Sequence, residues 1–197
     1  CSRYWQIRKS LMSNIIYLNH KSYWNTQAED FIHQIEKWLQ KSSIYESMRT
    51  FNLMHSRLDW STRRRCSRGG WYNKHKGVGV SIAMWPLCGS KDPKDRVPMK
   101  VYEYKAYEND LEIGNFYTDD NHHNILMVVC HEMAHAAQYF HRKFHKMGRI
   151  KPHGDEFKMF YREIRNHWLN SLIPNQEEMG VKFREHKKMS AMQEYAA

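Results

Sequence analysis

The chain has 197 residues, of which 41% are hydrophobic and 14% aromatic; this excludes a disordered polar chain and supplies enough apolar surface for one domain with a real core. With 31 Lys and Arg against 21 Asp and Glu, the net charge is +10, which favours a polyanionic partner such as nucleic acid. No apolar run approaches the roughly 20 residues of a membrane span, so no membrane partner is expected.

Residues 1–24 are rich in aromatic and basic side chains but show no clean period. Thr26 and Glu29 have the spacing of a capping box, and Ala28, Phe31, Ile32, Ile35 and Leu39 then recur at helical intervals, which predicts a helix starting there. A second helix is expected from Ser43, with Glu46 three residues on and Ile44, Met48, Phe51, His55 and Leu58 along one face; His55 reads as a core-edge histidine. After Trp60 the glycine-punctuated "STRRRCSRGGWYNKHKGVGVSIAMW" predicts short strands joined by a hairpin near residues 73–77. A loop, "CGSKDPKDRVP", leads to a further strand in "MKVYEYKAYEND". From Thr118 the period is helical again, with Asp119 and Asp120 placed for the first turn, and the helix should run to about Lys146 and stop at Gly148. A last helix is predicted from about Gly154, carrying Phe157, Phe160, Tyr161, Ile164, Trp168 and Leu172 on one stripe and ended by Pro174. Residues 175–197 are polar and mixed in charge, a tail or a loosely docked helix.

The chemistry concentrates in "ILMVVCHEMAHAAQYF". On a helix His131 and His135 lie about 40° apart, one turn from each other. Ile125, Val129, Met133, Ala136 and Phe140 form a separate stripe roughly 140° away. The apolar face packs and the imidazole face points elsewhere. Two imidazoles one turn apart can both reach one Zn²⁺, and Glu132, between the two faces, is placed to take a proton from a metal-activated water without binding the metal itself: the HExxH arrangement.

A catalytic zinc needs a third protein ligand. Gln138 occupies the place where a metzincin has glycine, so the helix should continue and His141 cannot fold back to the metal. His153 in "KPHGDEF" is the preferred third ligand, with Asp155 and Glu156 as competitors. Cys130 reads as a buried thiol, His122 and His123 as solvent-facing residues of the helix start, and Tyr161 as core. The four cysteines (Cys1, Cys66, Cys88, Cys130) form no CxxC pair; that argues against a zinc ribbon or a dense disulfide framework and for a reducing, intracellular setting.

"LMVVCHEMAHAAQYF", followed after a basic linker by "HGDEFKMFYREI", resembles the SprT-like metallopeptidases, the group that includes the Spartan proteases. "SRGGWY" and "VGVSIAM" resemble that family's strand pair, and "SMRTFNLMHSRL" its leading helix; the match runs over about residues 47–172. The resemblance implies an α+β, zincin-like domain: leading helices, a small mostly antiparallel sheet, the HExxH helix and a closing helix. It makes His131, His135 and His153 the ligands of one catalytic zinc and Glu132 the catalytic base, and it implies cleavage of proteins held on DNA, as in repair of DNA–protein crosslinks. On this reading residues 1–42 are a helical extension, 43–174 the metallopeptidase domain and 175–197 a polar tail. The chain departs from the pattern in lacking a C-terminal cysteine ribbon and in a longer segment over residues 109–124.

Two basic clusters could hold single-stranded DNA. Arg63, Arg64, Arg65 and Arg68 lie beside Trp71 and Tyr72; Arg142, Lys143 and Lys146, with Arg149 and Lys151, lie between the zinc helix and His153. Two other readings stay open: a zinc peptidase with no nucleic-acid role, and a non-enzymatic DNA- or particle-associated protein with a structural zinc.

Overall fold

The computed structural model describes residues 2–42, 45–63, 66–73, 77–88, 99–102, 113, 115–149, 151–169 and 176–195, with the side chains of the first helix described from His20 onward. The elements run α1 (Ser2–Lys41), a 3₁₀ turn (Glu46–Thr50), β1 (His55–Asp59), β2 (Arg68–Asn73), β3 (Gly77–Ala83), a single turn α2 (Trp85–Cys88), β4 (Met99–Tyr102), β5 (Asn115–Thr118), α3 (Asn121–Phe144), α4 (Asp155–Trp168) and α5 (Gln176–Tyr195). The architecture is α+β and rich in helix.

Helix α3 is the axis of the molecule. Its stripe of Ile125, Val129, Met133 and Ala136 is fully buried, as the periodicity requires. Helix α1 covers it with Trp24, Ala28, Ile32, Ile35 and Leu39, and α4 with Phe157, Phe160, Tyr161 and Ile164. Each of these larger side chains contributes roughly 1.5–3 kcal/mol by leaving water. Helix α1 begins far upstream of the expected start. Thr26 is not a cap: its hydroxyl donates to the carbonyl of Ser22 within the helix.

The main sheet has the order β1-β3-β2. Strands β1 and β3 are parallel while β2 and β3 form the expected antiparallel hairpin, so this sheet is mixed where a mostly antiparallel one was expected. A second, separate antiparallel pair is β4–β5. Central strand β3 is buried along its length from Val78 to Ala83, as a strand covered on both faces must be.

The expected second helix, from Ser43 to Leu58, does not form. Its described part is one 3₁₀ turn and then β1, because residues 55–59 pair with residues 79–83 and gain a ladder that no local periodicity announces. Met48 and Phe51 are buried all the same. Ile44 lies outside the described residues, as do residues 103–110 of the strand expected over residues 99–110.

Strand β5 was not anticipated. Its edge is covered by α5, whose Gln176 side chain imitates a neighbouring strand: the Tyr117 N–H donates to Gln176 Oε1 (2.6 Å), and Gln176 Nε2 donates to the Tyr117 carbonyl (3.1 Å). Met179 and Gly180 are buried there, so the first turn of α5 is firmly docked.

His122 and His123 are half-buried, contrary to the expectation of solvent-facing side chains. The His122 ring packs on Trp24 and bonds the Tyr23 hydroxyl (2.6 Å), and His123 bonds Thr118 Oγ1 (3.0 Å). Cys130 and Tyr161 are buried, as expected, and so is Cys88, while Cys66 is exposed. No described helix is long and apolar enough to cross a membrane.

Candidate metal centre

The two histidines of α3 project from its polar face and meet His153, which arrives from the loop before α4. His153 Nε2 lies 3.2 Å from His131 Nε2 and 2.9 Å from His135 Nε2. Among the described residues these three form the one His, Cys, Asp or Glu cluster whose ligand atoms converge within 4.8 Å.

The local sequence explains the turn that delivers His153. This residue has φ +56, a left-handed conformation uncommon for a side chain with Cβ, and Gly154 follows as the N-cap of α4. Phe157 then anchors the helix: its ring stacks on His135 at 4.3 Å and lies 4.8 Å from His153.

The donor chemistry fits a metal ion. Burial holds all three imidazoles below their ordinary pKa, with the neighbouring imidazoles adding to the effect at His131 and His135; His131 falls well below, and His135 is pushed down to about 3. All three rings are therefore neutral, the form that binds metal. A neutral Nε2 offers either one proton or one lone pair, so His153 cannot serve both neighbours well, whereas a cation between them takes all three lone pairs. The separations fall a few tenths of an ångström short of the roughly 3.3 Å that tetrahedral Zn–N bonds impose. His131 Nδ1 is buried with no hydrogen-bond partner, which leaves Nε2 as that ring's polar contact point.

Glu132 is buried, 7% exposed, beside this cluster. Burial pushes its carboxyl up to about 8, partly offset by a hydrogen bond from the Gly69 backbone N–H. That bond depends on a very close approach of β2 to α3. A Cβ on Gly69 would lie 2.0 Å from the Glu132 carbonyl oxygen, and one on Gly70, at φ +68, would lie 2.4 Å from that of His135. The doublet in "SRGGWY" is thus a backbone-to-backbone contact between strand and metal helix.

A cleft of ≈370 Å³ opens over the cluster, lined by Ser67, Arg68, the glycine pair, Tyr139 and Pro152. Glu132 and all three histidines line it.

The competing ligands lie elsewhere. Asp155 is fully exposed, 3.9 Å from Lys158 Nζ, and the Glu156 carboxylate accepts from Arg142 Nη1 at 2.9 Å. His141 bonds Ser47 Oγ at 2.8 Å and takes no part in the cluster.

Of the basic residues singled out for nucleic acid, Arg63, Arg68, Lys143 and Lys146 are exposed, and Arg64 and Arg65 lie outside the described residues. Arg142 is held within the protein: besides Glu156, its guanidinium donates to the carbonyls of Gly148 (3.2 Å) and Arg149 (2.9 Å). Sequence reasoning missed this use of Arg142 and the polar role of Gln138. Both were legible in principle, because His131, His135, Gln138 and Arg142 fall at i, i+4, i+7 and i+11 on one helix face.

An HExxH helix with a third histidine brought in from a following loop defines the class: a candidate metal-dependent hydrolase centre. The SprT-like family matches residues 28–178, and the chain belongs to that family, which is associated with metallopeptidase activity. No curated protein and no solved structure matches it.

Proposed function

We propose that this chain is a zinc-dependent endopeptidase that cleaves proteins associated with DNA. One observation carries the reading: three neutral imidazole nitrogens converge at 2.9 and 3.2 Å beside a buried glutamate, on the floor of an open cleft. His131, His135 and His153 would hold the zinc, which when bound supplies Lewis acidity for a scissile carbonyl and for a water.

The remaining work falls to the chain. Glu132 takes the proton of the attacking water at its carboxylate and returns it to the departing amine. The Gly69 N–H keeps that carboxyl aimed. Strand β2 is an edge of its sheet and borders the cleft, so an extended segment of substrate can be received there through main-chain bonds, with little demand on its sequence.

The nucleic-acid part of the proposal rests on charge. Lys143, Lys146, Arg149 and Lys151 are exposed on the segment leading to His153, and Arg63 and Arg68 on the segment leading into β2. Single-stranded DNA held there would bring DNA-bound proteins to the cleft.

The first test is elemental analysis of wild type beside His153→Ala, followed by proteolysis of a protein substrate with and without single-stranded DNA. One zinc per chain, lost in the variant, with DNA-stimulated cleavage that Glu132→Gln lowers by about 10²–10⁴-fold while keeping zinc, is the expected result. DNA-independent cleavage would reduce the proposal to a zinc peptidase without a nucleic-acid role. Zinc without cleavage would make the site structural.

A further inference from the structure

The polar face of α3 does not end at His135. Two helical turns further on it meets the start of α4, and the meeting point is Glu156. Its Oε2 accepts from Arg142 Nη1 at 2.9 Å and from Gln138 Nε2 at 3.3 Å, and its Oε1 lies 4.0 Å from His141 Nε2. The two donors also hold the loop that carries the third ligand. Arg142 Nη2 donates to the carbonyls of Gly148 and Arg149, and Gln138 Nε2 donates to that of Lys151 at 3.2 Å.

Gln138 reaches the metal face as well. Its amide nitrogen is occupied by the Lys151 carbonyl and Glu156, and its side chain lines the cleft together with His135 and His153.

From this geometry we infer that Glu156 is a positioning residue of the metal centre: with Arg142 and Gln138 it forms one brace that seats the strained His153 turn. The inference rests on the metal-site reading above and extends it. It also accounts for the polar continuation of α3, because Gln138 and His141 stand where a metzincin would place its glycine and third ligand, and here both turn toward Glu156.

The test is Co²⁺ titration of metal-free full-length protein, read by the visible d–d spectrum, with folding checked by circular dichroism. Glu156→Ala and Arg142→Ala should each weaken Co²⁺ binding about 10–100-fold and alter the band intensity, and the double variant should be no weaker than the worse single one. Glu156→Gln, which keeps an acceptor oxygen, should recover most of the affinity. Asp155→Asn, next door and solvent-exposed, should bind as wild type does.

If Glu156→Ala fails to fold, Arg142→Lys provides the same comparison, since it keeps the charge and loses the fork that reaches carboxylate and carbonyls together. Wild-type affinity and spectrum in Glu156→Ala, or in Arg142→Lys where that is the folded variant, would overturn this inference alone. Wild-type protein that takes up no Co²⁺, or takes it up unchanged after His153→Ala, would overturn the metal-site reading and this inference with it.

Discussion

Replacing Gly69 by alanine probes the contact that holds the buried Glu132 carboxyl. The new Cβ would sit 2.0 Å from the Glu132 carbonyl oxygen, 2.7 Å from its carbon and 2.9 Å from Cα. A carbon and a carbonyl oxygen rest at about 3.3 Å or more, so β2 and α3 must part by over 1 Å. No flexible side chain can yield instead, since every atom met is backbone. Parting them forces a shift in a packed layer, at about 1–3 kcal/mol, and breaks the Gly69 N–H bond to the buried Glu132 carboxyl, at about 1–3 kcal/mol more. A loss of roughly 2–6 kcal/mol is a large part of an ordinary domain's stability. Urea unfolding of metal-free protein, followed by circular dichroism, reads it as a fall in midpoint at constant slope. Gly148→Ala is the control: nothing lies within 4 Å of its added Cβ, and its stability should stay within about 0.5 kcal/mol of wild type. A Gly69→Ala midpoint equal to that of wild type would refute the close approach of strand and helix.

Two further outcomes are expected. In metal-free protein the unfolded chain's Glu132 releases its proton above 4.5 while the folded carboxyl holds it to about 8, so the folded state binds more protons and stability falls as pH rises across that window. Glu132→Gln should therefore gain on wild type by roughly 3–5 kcal/mol between pH 4.5 and pH 8, measured by denaturation in chelator; a gap independent of pH would contradict the burial of this carboxyl. The depressed imidazoles cost stability as pH falls below 6.5, but they are common to both proteins and cancel in the difference. Gln176→Ala removes both bonds to the Tyr117 backbone and should cost about 1–2 kcal/mol and promote self-association by light scattering; wild-type behaviour in both assays would show that α5 protects no edge.

What could be read from the sequence was what is local. The α3 helix, its separate apolar and imidazole faces, the β2–β3 hairpin and the Phe157 stripe of α4 all repeat within a few residues, and each is present. His153 stood out through its glycine and the aromatic anchor behind it. Strand β1 hid inside a helical pattern, because Met48, Phe51, His55 and Leu58 share a helical spacing while their fate is decided by pairing with β3. The upstream half of α1 carried no apolar period to announce it, and β5, at four residues, is recognisable only through β4 and Gln176. Glu156 looked like a rival ligand, since a carboxylate beside a histidine carries no sign of which way it faces. Arg142 looked like a free cation because its partners are main-chain carbonyls, which any sequence supplies.

Arg142 and Gln138 grip the carbonyl oxygens of Gly148, Arg149 and Lys151, atoms common to every amino acid. The path of the segment is thereby fixed without reference to its side chains, and those of Lys146, Arg149 and Lys151 point into solvent. Exchanging these lysines and Arg149 for acidic or aromatic residues should therefore leave the turn before α4 where it is. The segment is a faceplate whose outer side chains can change without moving the turn behind it.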